Sequence, residues 1–294
     1  MKNVLKKIVS VGLIFCMTGA MAGCSKKETE KQWTPPSGTG EESQPETTAE
    51  ETTAEETTAE SSAAAEKFTV EDGKLIMATN AFFQPYEYYE GDKIVGIDAE
   101  IAEAIAKKLG LELEIKDVEF DSIIAGVQTN KYDFGMAGMT VTDERKQAVN
   151  FSNTYATGIQ AIIVKEGSDI KDCDGLLAGD YKVGVQTGTT GDIYMTDEIG
   201  DDRIVRYSKG NDAVMALTTG KIDAVVIDNE PAKSFVAANE GLTILETPYA
   251  VEDYAMCMNK ENTVLLEKIN AALKELTDDG TIPAIIEKYI PSKG

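Results

Sequence analysis

The segment Ala137-Gly138-Met139-Thr140-Val141-Thr142-Asp143-Glu144-Arg145 holds groups suited to gripping a small polar molecule. The Ala-Gly pair leaves backbone N–H and C=O groups open to a visitor. Thr140 adds a hydroxyl, and Arg145 adds a planar fork of five donors that matches a carboxylate. Such a set could hold the α-carboxylate and α-amino group of a free amino acid. The alternative is a plain strand-to-helix connection, with Arg145 in a surface ion pair with Asp143 or Glu144, a common and weak interaction.

The elements around this segment must position it. Tyr132 to Met136 reads as the end of a strand, and Lys146 to Val149 has helical character. Upstream, Lys74 to Thr79 is an apolar run that predicts a buried strand, ending at Asn80. Phe82-Phe83-Gln84-Pro85-Tyr86 reads as an aromatic loop, because Pro85 interrupts regular structure. Asp98 is expected to cap a helix with Ile101, Ala104, Ile105 and Leu109 on its apolar face, stopped by Gly110. Leu111 to Ile115 alternates as a strand, and a helix follows over Asp121 to Gln128. Strand alternating with helix implies parallel sheets covered on both faces.

A second α/β unit begins with a long apolar strand, Ile159 to Val164. Lys182 to Val185 is a strand, and Gln186-Thr187-Gly188-Thr189-Thr190-Gly191 is a loop opening a helix. Arg203 to Tyr207, Ala224 to Ile227 and Leu242 to Leu245 supply further strands. Tyr254 to Met258 is expected to return to the first unit, with helices over Glu261 to Leu276 and Ile282 to Tyr289. Two α/β lobes joined by two crossing strands would form a clamshell with its ligand in the cleft.

Composition removes several classes of chemistry. The chain of 294 residues has a formal charge of -23, which disfavours nucleic acid because phosphate binding needs a basic face. It has no histidine, so Ser-His-Asp and Cys-His catalysis and His-based zinc sites are absent. The cysteines stand at 16, 24, 173 and 257 without a CxxC pair, and no metal or other cofactor is expected.

Residues 1–24 have the form of an export signal. Lys2, Lys6 and Lys7 make a positive start, and Ile8 to Met17 make a short apolar core. Met21-Ala22-Gly23-Cys24 resembles the lipobox of bacterial lipoproteins, with Met where Leu is usual, and implies a thioether-linked lipid on Cys24. Residues 25–67 carry eleven Glu against four Lys, one large apolar side chain before the final residue (Trp33), and three copies of Glu-Thr-Thr-Ala-Glu. Such a segment cannot bury enough surface to offset its chain entropy, so it is expected to be a disordered tether spanning roughly 35–40 Å.

From Phe68 onward the chain resembles the solute-binding proteins, family 3, of bacterial amino-acid importers. The resemblance rests on an ordered set of motifs: Phe83-Gln84-Pro85-Tyr86, Val95-Gly96-Ile97-Asp98, Phe120 to Ile124, Ala137 to Arg145, Val149 to Ser152, Val183 to Thr189, and Asp223 to Asp228. It implies the type II periplasmic-binding-protein clamshell, an α/β fold of mixed, mostly parallel sheets with helices on both faces and two hinge strands. Lobe 1 would comprise residues 68–155 and 254–294, and lobe 2 residues 156–253.

The same resemblance implies roles for individual residues. Arg145 would pair with the ligand α-carboxylate, with N–H groups from Thr140 and from the Gly188-Thr189-Thr190 loop at a helix N-terminus. The Thr140 hydroxyl, backbone groups of Ala137 and Gly138, and the Asp228 carboxylate would hold the α-ammonium. Phe83 and Phe120 would sandwich the ligand's aliphatic part, although both also suit a core. Asp228 could equally be a helix cap, and Gly188 a turn residue. Asn80 and Gln186 stand where a related glutamine-binding member carries an acid and a base. Two neutral amides there favour a neutral polar amino acid over a basic one. Cys173 and Cys257 would fall in different lobes as free, mostly buried thiols.

The implied function is capture of a free L-amino acid by lobe closure and delivery to an importer's permease and ATPase. The protein would act as a monomer, lipid-anchored at the outer face of the cytoplasmic membrane. Two alternatives share the fold: an enzyme resembling cyclohexadienyl dehydratase, and an accessory sensor. The sensor would need a separate partner, since no second apolar span follows. If Cys24 carries the anchor, Cys24→Ala should move the protein from the membrane fraction to the soluble fraction, as read by immunoblot.

Overall fold

The structure, a computed structural model, describes residues 67–245 and 250–291. The expected signal over 1–24, the lipid on Cys24 and the tether over 25–67 fall outside these residues, except Lys67. Among the described residues no helix is long and apolar enough to cross a membrane.

In chain order the strands of the first half are β1 (Lys74–Thr79), β2 (Phe82–Phe83), β3 (Glu87–Glu90), β4 (Lys93–Val95), β5 (Glu112–Asp117), β6 (Phe134–Gly135) and β7 (Asn150–Phe151). Those of the second half are β8 (Ala156–Lys165), β9 (Val183–Gln186), β10 (Ile204–Tyr207), β11 (Ala224–Asp228), β12 (Leu242–Ile244), β13 (Val251–Tyr254) and β14 (Cys257–Met258). The helices are α1 (Ile97–Leu109), α2 (Ile123–Gln128), α3 (Asp143–Ala148), α4 (Cys173–Ala178) and α5 (Thr190–Ile199). They continue as α6 (Gly210–Thr218), α7 (Asn229–Ala238), α8 (Thr263–Asp278) and α9 (Thr281–Tyr289).

The first sheet has the order β5-β1-β6-β14-β7, with β1 parallel to β5 and β6, and β14 antiparallel to its neighbours. β1 is buried from Leu75 to Thr79, the pattern of a central parallel strand covered on both faces. The second sheet has the order β10-β9-β11-β8-β12, with β13 also on β8. This is the two-lobed α/β clamshell of the periplasmic-binding-protein type.

Two chain crossings join the sheets, between β7 and β8 and between β13 and β14. They lie side by side: Ser152 N–H donates to Met256 O at 2.9 Å, and Tyr155 N–H to Tyr254 O at 3.0 Å. The return strand expected as one piece over Tyr254 to Met258 is therefore two, each belonging to a different sheet.

Two local expectations change near the cleft. The aromatic loop is part of a small sheet in which β2 pairs with β3 and β3 with β4, placing Phe83 opposite Glu87. Asp98 does not cap α1. Gly96 is the N-cap at φ 123°, and the Asp98 carboxylate instead accepts from Gly138 N–H at 2.8 Å and the Tyr155 hydroxyl at 2.9 Å. Gly96 turns against Pro85 and Tyr86, where a Cβ would overlap the Tyr86 carbonyl. A Gly96→Ala substitution combines positive-φ strain with a backbone clash. We expect it to destabilise the fold by about 2–4 kcal/mol in urea unfolding.

Candidate functional site

The turn after β6 is built by Gly138 at φ 52°, where an added Cβ would lie 2.7 Å from the Phe83 ring. The chain then reaches Thr142, whose hydroxyl caps α3 by accepting from Arg145 N–H at 3.1 Å. This cap aims Arg145 inward. Its side chain is buried, with Nη1 donating to Thr140 O at 2.6 Å and Nη2 to Gly188 O at 3.0 Å. The guanidinium carbon lies 5.4 Å from the Phe120 ring centroid. The surface ion pair is not made, since Asp143 pairs with Lys146 instead. Arg145 thus reaches from the first lobe to the second, and burial lowers its pKa from the ordinary value.

On the opposite wall β11 ends at Asp228. This residue is the N-cap of α7, but its carboxylate does not make the capping bond. It accepts from Gln160 Nε2 at 2.7 Å and from the Tyr254 hydroxyl. Burial, and then the charge of Glu252, raise its pKa to about 7. Thr189 caps α5, and Thr190 opens it, where the first N–H groups have no partner within the helix.

Three implied donors are already engaged. Gly188 N–H donates to Asp192 Oδ2 at 3.1 Å and Thr189 N–H to Gln186 O at 3.3 Å, so this loop offers two N–H groups fewer than expected. Gly138 N–H is taken by Asp98, which leaves its carbonyl without that partner. For the two glycines a buried carboxylate holds the amide.

At the far end Asn80 donates from Nδ2 to Val118 O at 2.8 Å and accepts on Oδ1 from Gln186 Nε2 at 3.0 Å. Gln186 Nε2 also donates to Ser208 O at 3.1 Å. The two amides therefore bond to each other across the cleft. Phe83 and Phe120 are both buried beside them.

All eleven residues singled out in the sequence line one cavity: Asn80, Phe83, Phe120, Ala137, Gly138, Thr140, Arg145, Gln186, Thr189, Thr190 and Asp228. Its atom-free space is about 310 Å³, part of it open to solvent. The sequence reading missed a twelfth, Glu87. Its side chain is wholly buried, and neither carboxylate oxygen meets an N–H or O–H donor. Its neighbour is Asp98, whose Oδ1 is also without a donor. A proton held between the two carboxyls is the hydrogen bond open to them. Burial, and then the charge of Asp98, push Glu87 well above the usual carboxylate range, while burial lifts Asp98 to about 6. The available signal was the run Glu87-Tyr88-Tyr89-Glu90, four strand residues on the far side of Pro85.

Cys173 and Cys257 are free, the former half-buried and the latter buried. Among the described residues no group of three or more His, Cys, Asp or Glu could hold a metal ion.

The model for bacterial extracellular solute-binding proteins, family 3, matches residues 75–292, and the chain belongs to that family. It is 33% identical over 225 residues to the arginine-binding extracellular protein ArtP of Bacillus subtilis, covering 74% of this chain and 86% of that one. Among solved structures it is similar to an ancestral arginine-binding protein bound to glutamine. That match has 40% identity and a TM-score of 0.71, over 75% of this chain and 99% of the other. It is also similar to the ancestral amino acid-binding protein AncCDT-1, a precursor of cyclohexadienyl dehydratase, at 31% identity and a TM-score of 0.69, over 74% and 95%.

The raised carboxyls give stability a definite sign. Asp98 and Asp228 hold protons in the fold at pH values where the unfolded chain has lost them, so stability falls as pH rises from about 4 to about 7. The ligand-free protein should be less stable at pH 7.5 than at pH 5, by on the order of 2 kcal/mol or a few degrees of melting temperature in calorimetry.

Proposed function

We propose that this protein captures a free L-amino acid by closure of its two lobes and passes it to the permease and ATPase of an ABC importer. It would do so as a monomer held outside the cytoplasmic membrane by a lipid on Cys24. One observation carries this reading: Arg145 from the first lobe and Asp228 from the second face the same cavity, flanked by Phe83 and Phe120. A zwitterion entering a water-poor cleft needs a partner for each charge, and these are the two required. A ligand that touches both would favour the closed state by its differential affinity.

The side-chain end supports a choice between two ligand classes. Asn80 and Gln186 favour a neutral polar ligand by type, yet they bond to each other and require nothing from a visitor. Glu87 is open to a partner, because apart from the proton it shares with Asp98 its buried carboxyl meets no N–H or O–H donor. We therefore place L-arginine first and a neutral polar amino acid second. The Bacillus subtilis relative, an arginine-binding extracellular protein, supports that order. An enzymatic role would draw on Glu87 as a general acid. It predicts chemical change in the bound amino acid, whereas the binding role predicts its recovery intact by NMR.

A thermal-shift screen against the twenty amino acids tests the reading, since a ligand of the native state raises the melting temperature. L-Arginine should give the largest shift, and no shift with any amino acid would end the proposal. Arg145→Ala should weaken binding by about 2–5 kcal/mol in titration calorimetry, the usual loss when one partner of a buried charge pair is removed. Glu87→Gln should weaken L-arginine at least tenfold more than L-glutamine; equal effects on both would return the choice to a neutral ligand.

A further inference from the structure

Behind the Asp228 wall lies a group of buried polar side chains that do not line the cavity. Gln160 sits on β8 opposite Asp228 in the β8–β11 ladder and has no exposed surface. Its Nε2 donates to Asp228 Oδ1 at 2.7 Å and to Glu252 Oε2 at 2.8 Å. Glu252, on β13, is buried and also accepts from the Thr190 hydroxyl at 3.0 Å and from Tyr194 on α5. Two residues further along β13, Tyr254 donates its hydroxyl to Asp228. The Tyr254 ring meets Tyr86 of the first lobe edge-on, with centroids 5.2 Å apart. β8 and β13 are the strands that lead into the two chain crossings, and they pair antiparallel.

Two carboxylates side by side in a dry interior are unfavourable unless something holds them. Here an amide bridges them; the further donors to Glu252 come from α5, whose Thr190 lines the site, and the further donor to Asp228 is Tyr254 on a crossing strand. Asp228 is the ammonium end of the proposed grip, and Thr190 is the carboxylate end on the same lobe.

We propose that Gln160, Glu252 and Tyr254 are positioning residues for ligand capture. They tie Asp228 and the start of α5 to both crossing strands, so that both ligand poles of the second lobe turn with the hinge as one piece. This rests on the amino-acid-binding reading above.

The network also sets the charge on Asp228. Glu252 raises its pKa, while the Tyr254 and Gln160 donors lower it. The other ionisable groups around Asp228 are Tyr194 on α5, Arg145 on α3, Tyr86 and Glu87 beside and on β3, and Glu230 on α7. An ammonium is held only by the ionised carboxylate, so affinity should fall about tenfold per pH unit below the Asp228 midpoint.

Removing single groups then has opposite consequences. Glu252→Gln should move that midpoint down and Tyr254→Phe should move it up, each by about one pH unit or more. Both should weaken binding at pH 8.5 at least tenfold. The measurement is titration calorimetry of the full chain from pH 5 to 8.5, with L-arginine and L-glutamine as probes and the melting temperature of each ligand-free variant recorded alongside. Shifts of opposite sign support the proposal. Midpoints unchanged from the parent, or affinity within twofold of it, overturn the proposal. If Glu252→Gln does not fold, Tyr254→Phe alone decides by the direction of its shift. A parent protein that binds none of the twenty amino acids would overturn the functional reading itself, a result distinguishable from either variant's behaviour.

Discussion

The burial of unequal charge around one cleft is the constraint on which the site depends. Arg145, Asp228, Glu87, Asp98 and Glu252 each expose less than a tenth of their surface. Four of these are acids and one is a base. In water the imbalance would be unimportant, but in a low-dielectric interior each uncompensated carboxylate must find a donor, a cation or a proton. Asp98 has Gly138 N–H and the Tyr155 hydroxyl, Glu252 has Gln160 and Thr190, and Asp228 has Gln160 and Tyr254. Glu87 has no such donor. Burial shifts Glu87, Asp98 and Asp228 toward their protonated forms, and a positive charge brought into the cleft would oppose that shift.

This constraint explains why the framework is built as it is. β1, β9 and β11 end at the cleft, presenting Asn80, Gln186 and Asp228 from strand termini that sheet pairing fixes in place. Arg145 would be a poor anchor on a free helix, but the Thr142 cap and the Thr140 carbonyl hold its base and one edge. Its other edge meets Gly188 O from the opposite lobe. A carbonyl is a weaker partner for guanidinium than a carboxylate. Arg145 is therefore solvated by backbone dipoles, which leaves a carboxylate as its stronger partner.

Much of this was legible in the sequence, and the reason is local. Ala137 to Arg145 and Val183 to Thr190 are continuous motifs in which a strand end, a turn and a helix start follow one another, so their order along the chain predicts their geometry. The positive φ of Gly188, read as a turn residue, is a feature of this kind. Glu87 was hidden because Pro85 was read as ending regular structure, whereas β2 and β3 pair across it. Gln160 and Glu252 were hidden for a deeper reason. Their contact spans 92 residues of sequence and depends on the register of two antiparallel crossing strands, which no local pattern encodes. The engagement of Gly138 N–H by Asp98 is similar, with 40 residues between the partners.

The amide pair at the far end has a consequence for selectivity. An acid and a base at Asn80 and Gln186 would attract each other across the cleft, but each would also lose hydration when the lobes meet. Desolvation of that kind can offset most of the Coulombic gain. Two amides at 3.0 Å close the gap with little such penalty. They also satisfy each other, so they neither demand nor strongly repel a particular side chain. On the proposed reading, selectivity then passes to the Glu87 carboxyl, which meets no donor beyond the proton it shares with Asp98. A ligand able to donate hydrogen bonds and carry positive charge there would replace that proton with an ion pair. A ligand that cannot do so would leave the proton in place and bind through its α-carboxylate and α-ammonium alone.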